Sequence, residues 1–546
     1  MKINYSKLLL LFLFGILSYL QACRSPDREK KQISRQTLKK RAIKDWNKTI
    51  PGNFSAEQDL FFDTLKIEDF LKEKPELAAY APEIRKFYAG RNFAYAWYTK
   101  KGLIEQAGNL ADRIRNLGEE GVAKPAPYLS TLDSLLYEKS AKKPDLNLEL
   151  MLTAQYFVFA KLAWQGMDAS ISKKTQWFLP RKKVAYEQYL DSMIKSPGKF
   201  SGIGVAPVYR QYDLLKTFLQ KYRALDEKDD WPMIVADQKS YKPGDSSAVL
   251  SAIKTRLFKL EDFKGDTLDA HYDDELLVAM KQFQSRHGLV ADGAIGSGTF
   301  AALNTPLKTR ITQLLVNMER CRWLPVHMNS DYLAVNIPEF RLHVYHADSL
   351  LWSCNVVVGQ SVHKTVIFGG DMKYVVFSPY WNVPPSIVRN EVLPAMRRNP
   401  GYLNAARMEI TGKSEGLPVV RQKPGPKNSL GQVKFLFPNS YNIYLHDTPS
   451  KSLFTESSRA FSHGCIRISE PAKLAGFLLR NSKNWDEQKI KAAMNSGKEQ
   501  YVTLKEPVPV FIAYFTSFID RNNLLNFRKD IYERDKPLSD MLLKKD

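Results

Sequence analysis

Two short strings hold the residue types most able to do chemistry: "YLHDTP" at 444–449 and "SHGCIR" at 462–467. A free thiol has a pKa of about 8.5, so Cys465 needs a base or a cation nearby to act as a nucleophile at neutral pH. His446 is a suitable partner, because an imidazole can take that proton and return it to a leaving amine. Gly464 lets the backbone approach a reacting carbonyl closely. N–H groups around Gly464 and Cys465 could then hold a tetrahedral oxyanion, each such donor being worth about 3 to 4 kcal/mol. Arg467 lies two residues beyond the cysteine on an expected strand and so shares its face. Its planar cationic fork suits a carboxylate or an amide.

Other uses of the same residues are weaker. A zinc site from His446, His463 and Cys465 needs a fourth ligand or an open water position. No CxxC or HExxH string accompanies them. A disulfide at Cys465 would need Cys321 or Cys354, which stand in helix-like and strand-like strings. Those two could bridge each other or remain buried free thiols. A papain-like protease uses similar Cys–His logic. It is disfavoured because no histidine follows His463 and the papain-type cysteine string is absent.

The chain around these strings has 546 residues, enough for two to four domains. Its 80 Lys and Arg against 58 Asp and Glu give a formal charge of +22. That charge suits an anionic neighbour such as nucleic acid, acidic lipid or cell-wall polymer. The N-terminus argues against nucleic acid. Lys2 and Lys7 precede "LLLLFLFGILSYL" (8–20), a secretory signal too short to span a bilayer. The following "LQAC" resembles a bacterial lipobox, which implies cleavage before Cys23 and lipid on its thiol. Arg24 gives no acidic retention signal, so the same analogy implies an outer-membrane anchor facing the periplasm.

The expected order of elements is as follows. Residues 1–23 are a lipoprotein signal peptide, and 24–60 a charged tether without hydrophobic periodicity. Residues 61–235 form a helical domain, since "LIEQAGNLADRIRNL" and "LELMLTAQYFVFAKLAWQ" space apolar residues three and four apart. A small three-helix unit occupies 240–306, with His287 read as a surface histidine at a helix end. A connecting helix covers 307–327. From 328 to 516 the period becomes two, as in antiparallel strands. Residues 386–430 interrupt that rhythm as an inserted helical flap large enough to cover a cleft. Residues 517–546 are read as a helical tail on the surface. The fold class is thus multidomain α+β: an all-α domain and a small three-helix domain, then a mainly antiparallel β domain with a flap.

Two families enter by resemblance. "LLVAMKQFQSRHGLVADGAIGSGTFAAL" (276–303) resembles the small peptidoglycan-binding domain. The pair "YLHDTP" and "SHGCIR" resembles the L,D-transpeptidase catalytic domain. Further strings fit the large three-part periplasmic members, among them "FYAGRNFAYAW", "NMERCRWLP", "YWNVPPSI" and "RQKPGPKNSLGQVKFLFPN". This resemblance implies Cys465 as nucleophile and His446 as proton donor and acceptor. Asp447 would fix the imidazole, in the family often through a main-chain carbonyl. Tyr444 would join Gly464 in supporting the oxyanion, while Ser462, His463, Arg467, Trp381 and Asn382 would line the substrate pocket. The implied partners are peptidoglycan stem peptides and glycan, with a membrane contact through lipid at Cys23. No metal or organic cofactor is implied. L,D-carboxypeptidase activity, attachment of proteins to the wall, and a silent wall-binding lipoprotein are the competing expectations.

Overall fold

The computed structural model describes residues 60–138, 143–195, 206–228, 230–325 and 328–544. The expected signal peptide, Cys23 and all but the last residue of the tether lie outside them. The described chain divides into two compact units, the described residues of Met1–Ala107 with Ser134–Thr153, and Gly108–Asp133 with Ala154–Asp546. Helices dominate the N-terminal region and strands the catalytic-string region.

In the first unit the string around Tyr88 and Trp97 serves one buried carboxylate. Glu149 accepts hydrogen bonds from the Tyr88 hydroxyl (2.8 Å) and the backbone N–H groups of Ala96 (2.5 Å) and Trp97 (3.0 Å). Burial still raises its carboxyl to about 7.

In the second unit, helix Leu307–Trp323 is far more than the expected connector. Nearly all its C-terminal half is buried, including Glu319, Arg320 and Arg322. Arg322 pairs with Glu319 at 2.7 Å and donates to the carbonyls of Ala163 (2.9 Å) and Glu120 (2.7 Å). The three-helix unit, Ala248–Lys259, Asp274–Arg286 and Ser297–Leu303, closes on Leu250, Ile253, Leu276, Met280 and Phe283. His287 caps its middle helix but is not the surface residue expected. Its ring packs on Phe283 at 3.9 Å and on Phe527 at 5.6 Å.

The strands that carry the candidate site are, in chain order, β1 (Asp331–Asn336), β2 (Arg341–His346), β3 (Ser349–Gly359), β4 (Ile367–Phe377), β5 (Trp381–Asn382), β6 (Met408–Ser414), β7 (Leu417–Gln422), β8 (Val433–Leu436), β9 (Leu445–His446), β10 (Ala460–Ser462), β11 (Ile466–Ile468) and β12 (Gln500–Ala513). Eight of them close into a ring in the order β4, β8, β9, β11, β3, β2, β1, β12 and back to β4. Closure leaves no unpaired edge to aggregate. Pairing is antiparallel around the ring except at β9–β11 and β1–β12. Alternate residues point inward: Leu333, Val335, Leu342, Val344, Leu445, Ile466 and Val510 are buried. Each such side chain contributes about 1.5 to 3 kcal/mol by leaving water.

The flap between β4 and β8 differs from the helical insertion expected. Short helical segments run from Pro385 to Ala405, but β6 and β7 then form a hairpin that adds β5 as a third strand. It has its own core of Val383, Ile387, Val388, Val392 and Val420. The C-terminal stretch also departs from a plain helix. Ser517–Ile519 pairs with Leu525–Phe527, and only Asp535–Leu542 is helical. Cys321 and Cys354 are buried free thiols.

Candidate active site

The parallel pairing of β9 with β11 sets the geometry. Leu445 stands opposite Ile466 and His446 opposite Arg467, while the Ile466 N–H donates to the Tyr444 carbonyl at 3.1 Å. Leu445 and Ile466 point into the ring, so Tyr444, His446, Cys465 and Arg467 share the outer face. With strands about 4.8 Å apart and alternate residues about 6.6 Å apart, the His446–Cys465 diagonal spans about 8 Å between Cα atoms.

His446 is only 4% exposed. Its Nδ1 faces the main-chain carbonyl of Asp447 at 2.5 Å. Nδ1 therefore donates, and Nε2 is left as the acceptor. Burial first, and the Arg467 charge second, push this imidazole down to about 3. The Asp447 carboxylate is turned elsewhere, accepting from the Gln432 N–H at 2.9 Å and from Lys451 at 2.5 Å. Gly431 runs close beside it with φ +63°, where a β-carbon would collide with the carboxylate.

Cys465 is half-buried, and its Sγ lies 3.6 Å from the Asn442 carbonyl. Burial raises the thiol, while hydrogen bonds from the Tyr444 N–H and hydroxyl, together with Arg467, pull it down less strongly. Both groups are thus held toward their neutral forms. The Tyr444 hydroxyl also bonds Trp381 of the flap. Arg467 is half-buried, and its Nε is buried without a hydrogen-bond partner.

The turn between β10 and β11 is held from within and behind. Ser462, expected to line the pocket, is buried instead. Its hydroxyl donates to the Cys465 carbonyl at 2.5 Å and accepts from the Gly464 N–H at 3.1 Å. Gly464 sits at φ +115°, a region that favours glycine. Its carbonyl accepts from the Thr365 hydroxyl at 2.9 Å, which in turn accepts from the Gly359 N–H at 2.9 Å. Tyr532 donates its hydroxyl to the Gly359 carbonyl at 2.5 Å and accepts from the Thr365 N–H at 3.2 Å. A β-carbon at Gly359 would collide with the His363 carbonyl.

His463 points the other way. Its side chain is 42% exposed and meets Glu391 of the flap at 3.1 Å, with the His363 ring 5.1 Å away. Asn382 is exposed on β5, opposite Arg421. Among the described residues, no group of three or more His, Cys, Asp or Glu could hold a metal. Gly359, Thr365, Gly431, Tyr532 and Glu391 were not singled out from sequence. Gly359 ends an apolar strand string and Gly431 follows a Pro/Gly-rich return, which are faint signals; Thr365 and Tyr532 carry none.

Three stretches of the chain match known families. Residues 330–508 match the family model described as "L,D-transpeptidase catalytic domain", residues 82–219 a "Scaffold domain", and residues 246–303 a "Putative peptidoglycan binding domain". The chain carries a catalytic domain of the L,D-transpeptidase family, joined to a scaffold domain and a domain of the peptidoglycan-binding type. A Haemophilus influenzae protein named "Putative L,D-transpeptidase" is 31% identical over 252 residues, 43% of this chain. The match spans 50% of that relative's length. Solved L,D-transpeptidases from Xylanimonas cellulosilytica and Stackebrandtia nassauensis are each 15% identical over 51% of this chain. They are covered to 100% and 97%, with TM-scores of 0.18 and 0.21, too low to carry an argument.

Proposed function

We propose that this protein is a peptidoglycan L,D-transpeptidase in which Cys465 is the nucleophile and His446 the proton carrier. The observation that supports it most is the β9–β11 register, which gives Tyr444, His446, Cys465 and Arg467 one common face. The donor is a tetrapeptide stem. As the thiol attacks the carbonyl of the third residue, its proton passes to His446 Nε2 and a sulfur–carbon bond forms. The tetrahedral oxyanion is held by N–H groups near Gly464 and Cys465 and by Tyr444. Collapse breaks the carbon–nitrogen bond, the amine of D-alanine takes the proton from His446, and a thioester remains. The amine of a neighbouring stem's third residue then attacks, losing a proton to His446, and releases the thiol as a crosslink forms.

The resting neutrality of both groups gives His446 a definite task. The proton is transferred as attack proceeds, rather than being stored beforehand as an ion pair. Arg467 receives a carboxylate or amide of the donor, and Trp381 and Asn382 flank it from the flap. Ser462 and Asp447 act as positioning residues for the turn and the imidazole. His463 links the turn to the flap, away from the proton path. The sequence-drawn boundaries stand as part of this proposal: a scaffold at 61–235, a wall-binding unit at 240–306 and a catalytic domain at 328–516. Export to the periplasm and a lipid anchor on Cys23 complete it.

Incubating purified protein with disaccharide-tetrapeptide and weighing the products tests the reading. A crosslinked dimer lighter by D-alanine is expected. Tripeptide alone would mean a carboxypeptidase, and an unchanged substrate would overturn the enzyme assignment.

A further inference from the structure

A cavity of about 1160 Å³ lies on the outer face of β1 and β2 and the end of β12, bounded by the end of helix Asp274–Arg286 and by the loop at 455–459. Cys465, His446 and Arg467 do not line it. Arg341, Arg459 and Arg528 gather there around one carboxylate, Glu339. That carboxylate is already engaged, accepting from His343 Nε2 at 2.9 Å and Asn336 Nδ2 at 3.2 Å. The arginines otherwise donate to neutral oxygens. Arg459 reaches the Glu456 carbonyl at 2.8 Å, Arg341 the Asn355 amide oxygen at 3.2 Å, and Arg528 the carbonyls of Arg286 and Phe527 at 2.8 Å each.

The Nε of Arg459 is buried with no hydrogen-bond partner. After burial, the charges of Arg341 and Arg528 weigh against its own. Concentrating cations in this way is costly unless an anion joins them. Among the remaining charges Asp520 eases Arg528, but not Arg459. Asp520 accepts from the N–H groups of its own loop at Asn522 (2.8 Å) and Leu524 (3.0 Å), and Asp348 and Glu456 lie exposed beside Arg210 and at the rim. Lys529 and Arg521 add further positive charge to the lining. Apolar surface adjoins the cations: Arg459 lies 5.3 Å from the Phe340 ring centre and Arg528 5.2 Å from that of Phe518.

We propose that this cavity binds the free carboxylate end of a peptidoglycan stem peptide at a site separate from the reacting thiol. Arg341, Arg459 and Arg528 receive the carboxylate, and the Phe340 and Phe518 faces hold the aliphatic part next to it. The choice of a stem peptide rests on the function proposed above; the demand for an anion does not. Small-molecule pockets commonly measure about 300 to 1000 Å³, so a short peptide fits. Arginine forks also grip phosphate, and the test separates the two.

The test uses the full chain alkylated at Cys465 with iodoacetamide, which removes the nucleophile and so prevents turnover. Calorimetry compares a disaccharide-tripeptide, its C-terminal amide and inorganic phosphate. The acid is expected to bind at least tenfold tighter than the amide or phosphate. Arg459→Gln and Arg341→Gln should each weaken it at least tenfold. Ser285→Trp, placed on the exposed wall, should do the same by filling the space while all three arginines are kept. Equal binding of acid and amide, equal binding of phosphate, or unchanged binding in Ser285→Trp would overturn the proposal. Product analysis on unmodified protein is a separate readout, so loss of this site and loss of the transpeptidase reading are distinguishable.

Discussion

The turn that carries Cys465 and the flap beside it are held in opposite ways. Behind the turn, Gly464, Thr365, Gly359 and Tyr532 form a buried chain of hydrogen bonds, each 2.5 to 3.2 Å long. The flap has its own small core, and it reaches the turn through the half-exposed pair His463–Glu391, 42% and 54% exposed, and through the Trp381–Tyr444 contact. Buried bonds are costly to leave unmade, whereas an exposed polar contact is worth about 0 to 1 kcal/mol. The difference teaches where precision is needed. The thiol must stay within reach of His446, while a cover over the donor must open and close.

Breaking the rigid side should cost most. Gly359→Ala drives a β-carbon into the His363 carbonyl and toward the Thr365 N–H. We expect a fall of at least a hundredfold in kcat/KM and a lower Tm, read by product assay and thermal melting. Normal activity would mean that the support behind the turn is dispensable. Replacing the β6–β7 hairpin with a short Gly-Ser linker should act differently. Turnover should fall about tenfold, while hydrolysis rises several-fold relative to crosslinking, because water then reaches the thioester. An unchanged ratio would remove the flap from water exclusion.

The pH dependence sharpens the same contrast. Burial holds His446 down near 3 and the Cys465 thiol above its ordinary value. Alkylation of Cys465 by iodoacetamide should therefore climb steadily from pH 7 to 10. A plateau from pH 6 would reveal a thiolate–imidazolium pair instead. For stability the sign runs the other way. An unfolded histidine takes a proton near 6.5 while folded His446 resists until about 3. Its contribution is thus full above about pH 6.5 and lost as pH falls toward 3. The smallest effect belongs to Glu391→Gln: kcat within about twofold and stability within about 0.5 kcal/mol, measured by assay and melting.

Much of this was legible in the sequence because chemistry and periodicity left local marks. The alternation in "DYLAVN" and "RLHVYH" reads directly as β1 and β2, and "SHGCIR" brings its own glycine and cysteine together. What was missed depends on distant pairing. Thr365 supports Gly464 from 99 positions away and Tyr532 meets Gly359 from 173 away, separations that leave no local pattern. The β6–β7 hairpin, by contrast, does carry a local mark. Its "EG" turn, Glu415 at φ +50° and Gly416 at φ +76°, lies between strand-forming residues. The burial of Arg322 on helix Leu307–Trp323 was hidden for another reason. A charged residue reads as surface until its partners Glu319 and Glu120 are known.

The central claim is that the sulfur of Cys465 takes the acyl group with His446 moving the proton. Trapping the intermediate tests it most directly: brief exposure to disaccharide-tetrapeptide, acid quench, and peptide mapping by mass. The account expects one acyl group on the peptide containing Cys465, released D-alanine in equal amount, no adduct in Cys465→Ala, and at least a hundredfold slower acylation in His446→Ala. Crosslinked product formed by Cys465→Ala, or acyl mass on any other residue, would contradict it.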